Sequence, residues 1–307
     1  MKHIKRILAS FLTCIIVFLM IPASVSLAAT NGWVKYGGEW YYYSNGVKQR
    51  GRFIGDNGKY YYLDPADGHM WRDDLICDAN DFPVYYVGKD GLVQYNKWIL
   101  FDQVDGYDTW FYAGSDAVLY TGWHKMGGKW YYFCKQSEGV WCPFAANSMS
   151  RCIDGTWYVF NKDCSLAKNK WVKEASTAES AKWEGGEIDY FYADSKGHAA
   201  IGWKKISKKW YYFDVKNECI MVRGFKNIDG KRYYFANSGA LKTTGWFNLG
   251  TKSNPKWYFA MTSGEIMRGW WQIGSKFYYF DKSSGLMARN KWVGDKYLAD
   301  DGHCTNW

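Results

Sequence analysis

From residue 32 onward, short aromatic runs separated by polar turns recur along the chain. Gly202-Trp203-Lys204-Lys205-Ile206 is followed by the polar pair Ser207-Lys208 and then by Lys209-Trp210-Tyr211-Tyr212-Phe213-Asp214. A run of five or six residues rich in Trp, Tyr and Phe predicts a strand, and a short strand meeting it across a polar turn predicts a β-hairpin. Gly122-Trp123 to Trp130-Tyr131-Tyr132-Phe133 repeats the unit, as do Gly32-Trp33 to Trp40-Tyr41-Tyr42-Tyr43 and Gly269-Trp270 to Phe277-Tyr278-Tyr279-Phe280. Weaker copies run from Gly51, Gly224 and Gly245, or open with Asn-Lys-Trp at Asn96, Asn169 and Asn290; degenerate ones centre on Tyr85-Tyr86 and Trp157-Tyr158. The spacing gives twelve units of roughly 23 residues between Gly32 and Trp307, with insertions in the fourth, seventh and tenth.

Turn pairs such as Gly127-Gly128 and Asp229-Gly230 supply the positive φ that a tight hairpin needs. In Trp-Tyr-Tyr-Phe the first and third rings share one face and the second and fourth the other, so both faces are aromatic. A lone hairpin is marginal in water, and stacking buries its rings. The expected fold class is therefore all-β: a solenoid of about twelve stacked β-hairpins with no large helix outside the amino terminus.

That terminus reads differently. Lys2, Lys5 and Arg6 precede an apolar stretch from Ile7 to Ile21, and small residues Ser26 and Ala28 stand three and one positions before a cleavage point. This predicts a signal peptide over 1–28 and a repeat array over 29–307, exported and with no stable membrane span after cleavage. Losing the three basic residues lowers the formal charge from +9 to +6, too mild to call for nucleic acid. An aromatic content of 20% exceeds what an ordinary core needs and points to a second use for the rings.

Of the eight Cys residues Cys14 leaves with the signal, and the remaining seven cannot all pair within one chain. Cys152 with Cys164, and Cys134 with Cys142, are the pairs the hairpin layout suggests; the alternative is free or buried thiols.

The succession Gly-Trp, Lys-Trp-Tyr-Tyr-Phe, Gly-x-Met and Gly-Trp resembles the choline-binding or cell-wall-binding repeat family, with similar repeats in glucan-binding domains and clostridial toxin arms. The resemblance covers nearly all of the array. It implies a hairpin solenoid with shallow sites between neighbours, each using two rings of one repeat, one of the next, and a loop Met. Carried over, it implies Trp203, Trp210 and Tyr234 with Met221, and Trp246, Trp257 and Tyr279 with Met267. It also implies Trp33, Trp40 and Tyr62; Trp98, Trp110 and Tyr132; and Trp171, Tyr190 and Tyr212. The competing reading is that the rings are core and the Met residues fill gaps.

Three ring faces suit a quaternary ammonium, which has no hydrogen-bond donor and is held by the negative faces of aromatic rings. The partner implied is choline on a teichoic-acid-type wall polymer; the same rings could stack on a glycan. No catalytic elbow, phosphate loop or metal-ligand pair is present in the sequence, and the array occupies the whole chain after the signal, so the expectation is a secreted, wall-associated, non-catalytic binding protein without a cofactor.

Overall fold

The computed structural model describes residues 31–104, 107–140, 143–147, 149–173 and 188–307. The predicted signal peptide and Cys142 lie outside them. Among the described residues every regular element is a strand, apart from two short 3-10 turns at Gln136–Glu138 and Val215–Asn217. The strands pair as twelve antiparallel hairpins, the number the repeat spacing predicts. They run from Gly32–Tyr36 with Glu39–Ser44 to Lys291–Val293 with Lys296–Leu298. The chain divides into two compact units, the first holding hairpins one to five and Phe160–Leu166, the second holding hairpins six to twelve.

The register is the same wherever the unit is intact. In the eighth hairpin Gly202 faces Phe213, Trp203 faces Tyr212, Lys205 faces Trp210, and Ile206 faces Lys209. The turns have the two successive positive φ values that fit the strand twist: Asp229 at 50° and Gly230 at 77° in the ninth hairpin, Ser207 at 47° and Lys208 at 68° in the eighth. The fourth hairpin, Lys97–Val104 with Tyr107–Ala113, is longer and shifts register between Leu100 and Asp102, which places the predicted insertion at its tip.

From the second hairpin onward the fourth position of the second strand's aromatic run builds the core. Leu63, Val87, Ala113, Phe133, Phe160, Ala193, Phe213, Phe235, Ala260, Phe280 and Leu298 are all 0% exposed. Size varies from Ala to Phe, but in these eleven hairpins the position stays in the interior, as alternation demands when one face is covered by a neighbour, whereas Tyr43 of the first hairpin is half-buried.

Within each unit, short return segments after several hairpins tie them to the hairpin before. Met70 N–H donates to Trp40 O at 2.7 Å, Leu241 N–H to Trp210 O at 2.8 Å, Ile266 N–H to Arg232 O at 2.8 Å, and Met287 N–H to Trp257 O at 2.9 Å. The next N–H in each segment turns back to its own hairpin, as Trp71 does to Tyr62 O and Lys242 to Tyr234 O, both at 2.9 Å. Backbone groups left over by two-stranded pairing are thereby satisfied.

This bridging residue also explains the Gly-x-Met signature. A Cβ on Gly239 would meet Met221 Sδ at 2.1 Å, and one on Gly302 would meet Met287 Sδ at 2.4 Å. Met70, Leu241 and Ile266 likewise fill the space that Gly91, Gly264 and Gly285 leave empty.

Cys152 and Cys164 are both free thiols, so the first suggested disulfide is not formed. Cys164 is buried against Tyr131, Phe133 and Ala145, whereas Cys152 is exposed. The Cys134–Cys142 suggestion falls outside the described residues. No helix among the described residues is long and apolar enough to cross a membrane.

Candidate functional site: aromatic seams along the hairpins

Each opener ring is the hub of a seam. On its own hairpin Trp203 has Tyr212 at 5.3 Å, its cross-strand partner, and Trp210 at 6.4 Å, one step along the same face. From the following hairpin come Tyr233 at 4.9 Å and Phe235 at 5.7 Å. The front face of one hairpin, carrying the opener and the first and third rings, therefore packs on the back face of the next, carrying the second and fourth.

The indole pairs share one geometry. Trp203–Trp210 and Trp246–Trp257 are 6.4 Å apart at 87°, Trp98–Trp110 is 6.4 Å at 82°, and Trp123–Trp130 is 6.3 Å at 85°. Two perpendicular indoles form a corner, and a tyrosine of the next hairpin forms a third wall: Tyr131 lies 5.2 Å from Trp98, and Tyr278 lies 5.0 Å from Trp246. Edge-to-face pairs of this kind each contribute about 0.5–1.5 kcal/mol beyond area burial, which holds the corner in shape. The corner is open in part: Trp210 is 43% exposed and Trp130 is 39% exposed.

The structure places Trp33 and Trp40, Trp98 and Trp110, Trp171 and Tyr190, Trp203 and Trp210, and Trp246 and Trp257 on front faces, each pair within one seam. The third ring needs correction throughout. Trp33 meets Tyr61 at 4.8 Å, not Tyr62; Trp98 meets Tyr131, not Tyr132; and Trp171 meets Tyr211 at 5.0 Å, not Tyr212. Trp203 meets Tyr233, not Tyr234, and Trp246 meets Tyr278, not Tyr279. The five rings first chosen sit on the opposite face of their strands: Tyr234 packs against Phe225 and Phe247, Tyr279 against Trp270, Tyr62 against Phe53, Tyr132 against Trp123, and Tyr212 against Trp203. A slip of one residue in a strand turns a side chain to the other side of the sheet. Alternation alone would have found the right rings, because a strand stacked on the hairpin before it must present its second and fourth positions there.

The methionines move by one seam. Met221 packs with Trp171, Tyr190 and Tyr211 rather than with Trp203, and Met70 packs with Trp33 and Trp40. In the Trp246 seam the bridging residue is Met287, not Met267; Ile266 holds the corresponding place in the seam before. Met221 is 4% exposed and Met287 is 6% exposed, so packing occupies most of each side chain.

The walls carry little charge of their own. Burial pushes the Tyr131 hydroxyl above its usual range, against the pull of Lys129, which keeps the ring neutral. Asp64, Asp67 and His69 bring three potential metal-ligand atoms within 4.8 Å of one another. Their oxygens are already engaged: Asp64 accepts from the N–H groups of Ala66 and Asp67 and from Trp71 Nε1, and Asp67 accepts from His69. This is turn chemistry.

Tandem hairpins that gather indoles at right angles in successive seams define an aromatic β-hairpin repeat protein. Residues 30–74 and 200–246 match the choline-binding repeat, and residues 121–138 match the putative cell wall binding repeat, so the chain carries repeats of both descriptions. Among curated proteins it is similar to glucosyltransferase-S of Streptococcus mutans, at 26% identity over 206 residues, covering 66% of this chain and 11% of that protein. Among solved structures it is similar to CbpJ of Streptococcus pneumoniae, at 25% identity and a TM-score of 0.44, covering 89% of this chain and 99% of that one. Choline binding protein F of Streptococcus pneumoniae aligns at 25% identity and a TM-score of 0.45, covering 90% and 98%.

Proposed function

We propose that the chain is a non-catalytic binding protein of the bacterial cell surface, exported by its amino-terminal signal and held on choline-bearing wall polymers by its aromatic seams. The observation that carries this reading is the recurring corner of two perpendicular indoles closed by a tyrosine of the next hairpin, seen at Trp98, Trp203 and Trp246. A trimethylammonium group presents diffuse positive charge and no donor, and three ring faces satisfy it without a carboxylate. At about 0.5–2 kcal/mol per ring, one seam binds weakly, on the order of millimolar. Several seams on one polymer multiply that by roughly 10²–10⁴. The ligand-contacting residues proposed are Trp98, Trp110 and Tyr131; Trp203, Trp210 and Tyr233; and Trp246, Trp257 and Tyr278, with Trp33, Trp40 and Tyr61 and Trp171, Tyr190 and Tyr211 as less regular versions.

The test is retention on choline-derivatised resin and release by free choline, run beside a dextran gel. Retention and choline-specific release support the reading. Passage through the choline resin with retardation on dextran overturns it in favour of a glycan, which would use the same rings as stacking platforms.

A further inference from the structure

One seam of the second unit is built differently. The first position of the aromatic run in the second strand is Trp in six of the twelve hairpins, at Trp40, Trp110, Trp130, Trp157, Trp210 and Trp257, an uncharged residue at Tyr60, Val84, Tyr190 and Phe277, and Asp295 in the last. In the ninth hairpin, Gly224–Ile228 with Lys231–Phe235, that position is Arg232. Its backbone is in the ordinary place, since its carbonyl accepts from Ile266 N–H as Trp257 O does from Met287 N–H. Only the side chain differs.

The guanidinium carbon of Arg232 lies 4.4 Å from the centroid of Phe225, the opener ring of the same hairpin. Phe225 in turn has Tyr234 at 4.9 Å and Tyr258, from the following hairpin, at 5.0 Å. The seam keeps an opener, a third-position ring and a second-position tyrosine of the next hairpin, and Arg232 stands where the other corners have their first-position ring. Arg232 Nε is buried without a hydrogen-bond partner among the described residues, and Nη1 reaches only Asn227 Oδ1, at 3.4 Å. A cation held by ring faces, with so little hydrogen bonding, is in the situation of a bound quaternary ammonium. Lys205, by contrast, stands 5.9 Å from Trp210, at the edge of that reach.

We propose that Arg232 is a tethered cation that occupies the Phe225–Tyr234–Tyr258 seam as a ligand would, closing it to free quaternary ammonium ions, and that removing the guanidinium creates a cation site there. The proposal extends the reading of the other seams as cation sites, but its own test does not require that they bind choline.

The experiment measures thermal melting of the full chain and its Arg232→Ala variant with methylguanidinium or tetramethylammonium chloride, against matched sodium chloride. The expected result is a saturable rise in the variant, of roughly 2–5 °C at ten times Kd, that is absent or smaller in the wild type. Absence of any added response in the variant overturns the proposal. Arg232→Met, which keeps the stem and volume, replaces alanine if that variant does not fold. Choline stoichiometry gives the second arm: Arg232→Trp, which restores the residue found in the neighbouring hairpins, adds one site per chain if the other seams bind choline. If the wild type ignores choline while Arg232→Ala still answers to methylguanidinium, the choline reading fails and the tethered-cation reading stands.

Discussion

Ser207 and Lys208 turn the eighth hairpin through two positive-φ residues that both carry side chains. Each left-handed residue other than Gly or Asn costs about 1–2 kcal/mol. The double change Ser207→Asn and Lys208→Gly, which supplies the favoured pair for this turn, is expected to stabilise the second unit by about 1 kcal/mol, read as a shift in urea midpoint with unchanged slope. Gly239→Ala has the opposite sign. It forces a Cβ into Met221 Sδ at a φ of 76°, and melting should show a loss of about 3 kcal/mol or more. The tyrosines separate by face. Tyr233→Ala removes the third wall of the Trp203 corner and is expected to weaken choline binding there several-fold, whereas Tyr234→Ala leaves that corner intact. Quenching of Trp fluorescence by choline in the two variants distinguishes them, and equal losses would place the site elsewhere.

At the scale of the hairpin, much was legible in the sequence. Recurrence of Gly-Trp and Trp-Tyr-Tyr-Phe locates all twelve hairpins, because aromatic alternation and turn pairs such as Asp229-Gly230 are local signals. The partner of each face is not local. Whether Tyr233 or Tyr234 meets Trp203 depends on which side of a strand is laid on the hairpin before it, and one residue decides it. Met221 belongs one seam earlier than the resemblance implies, because the return segment after a hairpin reaches backward, as Met70 does to Trp40 and Met287 to Trp257. Cysteine pairing also needed the structure, since Cys164 turns into the interior while Cys152 faces solvent. Burial pushes the Cys164 and Cys219 thiols up to about 12. Alkylation of the native protein at pH 8 should therefore modify Cys152 while sparing Cys164 and Cys219, which react only on unfolding; mass mapping of the labelled peptides checks it.

At the scale of the whole chain, aspartates at the loop corners set the response to acid. Lys226 holds the Asp214 carboxyl below its ordinary range, helped by the Lys216 N–H, and Asp301 is held at about 2 chiefly by its hydrogen bond to His303. The side-chain hydroxyl of Ser283 lowers Asp281 in the same way. A carboxyl lower in the folded than in the unfolded chain contributes stability above its unfolded pKa, and that contribution is lost as the pH falls through the folded value. Stability is thus expected to be flat down to about pH 4 and to decline toward pH 2, with Asp214→Asn removing part of the slope in a urea series. Binding is collective at this scale too. Disabling the corners at Trp210 and Trp257 together should cut retention on a choline polymer far more than it cuts the affinity of any remaining corner for free choline, because avidity falls with each site lost.

The stitches made by the bridging residues run one way. At the bridging residues the donor comes from the later stretch of chain and the acceptor from the earlier, from Met70 N–H to Trp40 O through Cys304 N–H to Phe277 O, while Val159 N–H, which donates to Gly197 O, runs the other way. A polypeptide emerging from the ribosome amino end first therefore exposes each bridging carbonyl before the amide that will claim it is made. A module stitched in this way finds its dock already finished, and its docking can keep pace with translation.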